Sequence, residues 1–144
     1  PKPYHIINLV FHLLNVLLVF RLILLLCKRN ELALITAGLF ALHPMHVESV
    51  AWLSELKDVL YTFFFLASLI YYLSYLRNNL KLTSLVFALF LFLLSLLSKS
   101  AAVTLPLLLL LLDYYHDRTR NFKMIVEKIP FLNINFPKRI LRKE

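Results

Sequence analysis

Two stretches of the chain hold the side chains most able to do chemistry. From His43 to Asp58 the chain reads His-Pro-Met-His-Val-Glu-Ser-Val-Ala-Trp-Leu-Ser-Glu-Leu-Lys-Asp, which gathers His43, His46, Glu48, Glu55, Lys57 and Asp58. Glu48 and Glu55 are seven positions apart, and Glu55 and Asp58 three, so a helical stretch puts each pair on one face. Carboxylates placed there could act as a general base or as metal ligands, and histidine and lysine could meet a phosphate. The plainer reading is a solvated interfacial loop whose charges mark a boundary. His43, His46 and Glu48 could hold zinc, but three donors within six residues is a weak pattern. No His-Glu-x-x-His occurs, so a divalent metal has no firm support and no metal site is expected. The second stretch is Ser98-Lys99-Ser100, where Lys99 has no counter-charge near it in sequence. It can snorkel to lipid phosphates or bind a phosphate that belongs to a substrate.

A third set of polar groups lies inside an apolar run. His5, Asn8, His12 and Asn15 fall at i, i+3, i+7 and i+10, so one face of a helix carries all four. Hydrogen bonding between helices accounts for such a stripe, and so does the lining of a polar cavity.

The elements that position these groups are membrane helices. Of the 144 residues, 60% are hydrophobic and only 17% charged, against about half and about a quarter in ordinary soluble domains. The apolar residues come in uncharged blocks, and a helix needs about 20 mostly apolar residues to cross the hydrocarbon. Five spans are expected, over 4–26, 32–43, 59–76, 82–98 and 101–115, within a transmembrane region 1–116. An outer loop 44–58 and a basic cytoplasmic tail 117–144 complete the expected organisation. The second and fifth spans are short, and a re-entrant or buried segment is the alternative for the second. Pro44 stops or kinks that span, Trp52 is an interfacial anchor, and Asp113 with Tyr114 and Tyr115 marks the inner end of the last one. A secretory leader fits the first segment badly, since no basic region precedes it and no small-residue cleavage site follows. A single cysteine, Cys27, excludes an intramolecular disulfide and any cysteine-based metal motif.

Charge sets the expected orientation, because basic short loops stay cytoplasmic. Lys28, Arg29 and Glu31 sum to +1, and Arg77 with Lys81 to +2. Glu48, Glu55, Lys57 and Asp58 sum to −2, and the tail from His116, with eight basic and three acidic residues, to +5. Pro1 and the loop 44–58 are therefore expected outside and the tail inside. Arg21, near the inner end of its helix, can snorkel to the same headgroups. The formal net charge of +8 does not indicate nucleic acid. Most of it sits in the tail, no binding motif accompanies it, and attraction to anionic lipid is the simpler account.

The segment from Leu39 to Val59 resembles the characteristic stretch of membrane glycosyltransferases related to the transmembrane and tetratricopeptide-repeat-containing O-mannosyltransferases. Two further segments match them in order. One is Pro3-Tyr4-His5 with Asn8, His12 and Asn15; the other is Ser98-Lys99 with Val103-Thr-Leu-Pro106 and Leu112-Asp-Tyr114. The resemblance runs from about Pro1 to Pro130. It implies an all-α fold, a polytopic transmembrane helical bundle that is a fragment of a GT-C fold. It also implies a lipid-linked donor, a polyprenyl-phosphate sugar, and transfer to a protein or lipid acceptor on the outer or luminal side. The His-Pro-x-His-x-Glu motif falls on His43, Pro44, His46 and Glu48, and its charged end on Glu55, Lys57 and Asp58. In the family an arginine commonly stands just before the position of Lys57; here it is Leu56, which leaves Lys57 and Lys99 as the cationic candidates.

The family's general base, a carboxylate in an outer loop ahead of the first span, is expected to lie before Pro1. Lys123 to Phe131 resembles the approach to a further span, whereas Asn133 onward and the basic end Lys138 to Glu144 do not follow the family. The chain by itself is therefore expected to be inactive. A transporter or channel, with the stripe lining a path, and a noncatalytic membrane scaffold are the competing readings. The wording of the loop lies closer to bacterial relatives, which favours a bacterial plasma membrane over the endoplasmic reticulum.

Overall fold

The computed structural model describes residues 2–43, 56–77, 81–116 and 126–131. All regular structure among them is helical: α1 (Lys2–Cys27), α2 (Asn30–Leu42), α3 (Leu56–Arg77), α4 (Leu82–Ser98), a 3-10 turn (Ser100–Thr104) and α5 (Leu105–Tyr115). Two helices, α1 and α3, are long and apolar enough to cross a bilayer. At 1.5 Å per residue α4, with 17 residues, is about 25 Å long, while α2 (13) and α5 (11) reach only about 20 and 16 Å.

Several boundaries differ from those read off the charges. α2 begins at Asn30 rather than residue 32, which puts Glu31 in its first turn, where the positive end of the helix dipole favours an acid. α3 begins at Leu56, so Lys57 and Asp58 stand in its first turn rather than in a loop. The fifth segment opens as a 3-10 turn, and α5 starts only at Leu105, with Pro106 in its first turn, where a missing N–H costs nothing. Between α1 and α2 only Lys28 and Arg29 lie outside the helices; Lys28 takes φ 55°, the left-handed conformation that ends helices. No glycine announces this tight hairpin.

α1 packs on α2 and α3, and α3 on α4 and α5. On α2 the buried positions are Ala33 and Ala37, four apart, so small side chains let that helix approach α1 closely. Val19, Ala37 and Leu66 centre this contact. The larger core joins α3, α4 and α5 through Leu69, Tyr72, Tyr75, Ala88, Phe92, Leu96, Leu105 and Leu109. Phe131 belongs to it too: the segment 126–131 folds back on the helices and sets its ring 5.3 Å from that of Phe92. This part of the expected tail is thus packed against the helices. Hydrogen bonds to backbone carbonyls tie the helices together. Ser68 donates to Ala88 O at 2.8 Å, and Arg77, the last residue of α3, donates to Leu25 O, one of the end carbonyls that α1 cannot satisfy itself.

Candidate functional site

The start of α3 and the end of α4 meet at one end of the bundle. Asp58 stands in the first turn of α3, and Lys99 follows α4 directly. Lys99 Nζ donates to Asp58 Oδ1 at 2.6 Å across 41 positions of sequence. The pair is half open to solvent, with side chains 45% and 36% exposed. Lys99 therefore does have a counter-charge, contrary to the reading from its neighbours in sequence. Such an exposed pair adds little stability, about 0–1 kcal/mol. Lys57 lies beside it and is exposed.

The polar stripe of α1 turns toward its neighbours. Asn8, His12 and Asn15 are buried, whereas His5 is exposed. Asn15 Nδ2 donates to Val59 O at 3.0 Å. The His12 Nε2 atom lies 3.4 Å from Ala41 O, and its ring stacks on Phe40 with centroids 6.0 Å apart. Ala41 is near the end of α2 and Val59 near the start of α3, so two side chains one turn apart on α1 reach the end of one helix and the start of the next. His43 caps α2 and is exposed. His46, Glu48, Glu55, Pro44 and Trp52 lie outside the described residues. Among the described residues no three His, Cys, Asp or Glu side chains gather as a metal site.

A second polar cluster escaped the sequence reading. Asp113 stands in the last turn of α5, where the last span was expected to end, but it is fully buried; its carboxylate accepts from Tyr72 Oη at 2.8 and 3.0 Å and pairs with Lys128. Lys128 is 2% exposed, and its ammonium lies 5.9 Å from the centre of the Tyr72 ring. The one available signal was an acid at the end of an apolar run; nothing local connects it to a lysine 15 positions on.

Fold and site together define an all-helical membrane-type chain with a cation–carboxylate pair at one end of its helices. Its relatives are glycosyltransferases by name. Over 115 residues, 78% of the chain, it is 36% identical to the Drosophila melanogaster protein O-mannosyl-transferase Tmtc1. Over 79 residues, 55% of the chain, it is 35% identical to the human protein O-mannosyl-transferase TMTC3, and over 110 residues, 72% of the chain, 34% identical to the mouse TMTC3 protein. The chain is thus homologous, over part of its length, to members of that family, and spans only 13%, 8% and 11% of these three relatives. No family model matches the chain, and no solved structure matches it at a significant level. All three relatives are animal proteins, which argues against the bacterial membrane expected from the wording of the loop.

Proposed function

We propose that the chain is part of a membrane glycosyltransferase, a piece of a polytopic GT-C bundle. It serves the transfer of a sugar from a polyprenyl-phosphate donor to a protein or lipid acceptor at the outer or luminal surface of a eukaryotic membrane. Likeness to the O-mannosyl-transferases motivates the reading, and the Asp58–Lys99 pair is the observation that carries it to a place on the molecule. Sugar transfer from a phosphate needs the leaving phosphate stabilised and the acceptor hydroxyl deprotonated. A fixed cation supplies the first, and carboxylates the second. Lys99 sits at the end of an apolar helix, where a polyprenyl tail can lie in the hydrocarbon while its phosphate stays at the surface. Asp58 holds the ammonium in place and can yield it to a phosphate. Glu48 and Glu55, with His43, His46 and Lys57, are the other ionisable groups that the sequence places between Ala41 and Asp58. Asn15 bonds a backbone carbonyl and His12 lies against another, which supports hydrogen bonding between helices as the role of the α1 stripe.

Two measurements test this. The first is binding of a polyprenyl monophosphate to the chain in lipid nanodiscs. Lys99→Gln is expected to weaken it about tenfold, the worth of one charge-assisted contact of roughly 1.5 kcal/mol, and Lys57→Gln to weaken it less. Normal binding by both variants overturns the donor site. The second measurement is topology. In a Cys27→Ser background, an impermeant thiol reagent added outside, or from the lumen, should reach Ser49→Cys and miss Asn79→Cys and Arg120→Cys. Labelling of Asn79→Cys without Ser49→Cys would reverse the orientation.

A further inference from the structure

The first turns of α3 carry three extra hydrogen bonds on their carbonyls. Thr62 Oγ1 donates to Asp58 O at 2.7 Å, Asn15 Nδ2 to Val59 O at 3.0 Å and Ser95 Oγ to Tyr61 O at 3.2 Å. Helical carbonyls already accept from the N–H four residues on, so these bonds are additional. They come from α3 itself, from α1 and from α4. Asn15 and Ser95 are 2% and 0% exposed. The Oδ1 of Asn15 is also buried and accepts no hydrogen bond from a described residue. A buried amide that leaves its oxygen unmatched is a poor packing element where an apolar side chain of similar size fits. Its useful half is the bond to Val59, the residue next to Asp58.

We propose that Asn15 and Ser95 are positioning residues for the Asp58–Lys99 pair. They grip the carbonyls of Val59 and Tyr61 from two neighbouring helices. The first turns of α3 are thereby fixed, and with them the direction in which the Asp58 carboxylate faces the end of α4. The Ser95 carbonyl accepts the Lys99 backbone N–H at 3.0 Å, the regular helical bond, so the Ser95 hydroxyl grips Tyr61 O from a point one turn before Lys99. The inference rests on the reading of this pair as the donor-phosphate site and deepens it by naming what holds the site in register.

The test separates geometry from binding. In a Cys27→Ser background, Asp58→Cys and Lys99→Cys are joined by a short bifunctional thiol reagent, with the chain in nanodiscs. Adding Asn15→Leu or Ser95→Ala should slow cross-linking severalfold, while Leu14→Ile, on the exposed side of α1, should not. Asn15→Leu should leave the thermal midpoint unchanged or raise it, because the unmatched oxygen goes with the amide. In the chain with Asp58 and Lys99 intact, the same two substitutions should weaken polyprenyl monophosphate binding. Unchanged cross-linking in both variants overturns the proposal. So does a fall in midpoint that accounts for the cross-linking loss, since that is the mark of a merely structural role. If Asn15→Leu does not fold, Ser95→Ala decides. Cross-linking needs no donor, so intact binding by Lys99→Gln would remove the donor reading and leave the positioning result standing.

Discussion

Lys128→Met is expected to destabilise the helix bundle by roughly 3–5 kcal/mol, the cost of leaving one member of a buried ion pair alone. Asp113 has no exposed surface, and Tyr72 supplies only a neutral donor to its carboxylate. Without the ammonium the negative charge stays in a medium that solvates it poorly. Lys128→Met combined with Asp113→Leu should recover most of the loss, because an apolar pair of similar volume needs no solvation at all. Thermal or denaturant midpoints of the chain in nanodiscs check both statements. A single variant within about 1 kcal/mol of the parent would mean that Asp113 finds other solvation, and that the pair is not what docks 126–131. The same experiment separates this buried cluster from the Asp58–Lys99 pair, since Lys128→Met should leave the proposed phosphate binding to the folded fraction unchanged.

The second large effect belongs to Phe92. Its ring is fully buried in α4 and packs at 5.3 Å on Phe131, which is itself fully buried. Phe92→Ala is expected to cost about 3 kcal/mol, the lower end for such truncations. The lower end applies because lipid is as apolar as the core, so the lost packing counts and the transfer from water does not. Phe131→Ala should be costly for the same reason, and the double variant should cost less than the sum. The coupling expected for an aromatic pair is about 0.5–1.5 kcal/mol. Strict additivity of the two losses would show that the rings do not depend on each other and that 126–131 is held by the ion pair alone.

The sequence by itself determined what depends on composition and short-range period. Long uncharged runs cannot offer water a polar face, so the regular structure among the described residues is helical and two helices are long enough to cross a bilayer. The period of Asn8, His12 and Asn15 put them on one helical face, and they are buried together, because a polar face cannot be left in hydrocarbon when a neighbouring helix is at hand. His5, at the same period but near the start of α1, stays exposed: period assigns a face, not the height at which packing begins. Reading span ends from charges misplaced the start of α3, since Asp58 in a first turn is favoured by the helix dipole rather than excluded from the helix. Tertiary structure alone decided which charges meet. Asp58 and Lys99 are 41 positions apart, Tyr72 and Asp113 also 41, and Asp113 and Lys128 are separated by a stretch with no local pattern joining them. A charge in a sequence carries a sign and a place along one helix. Its partner is chosen by how the helices pack, and in a low-dielectric interior that choice separates a boundary marker from a buried ion pair.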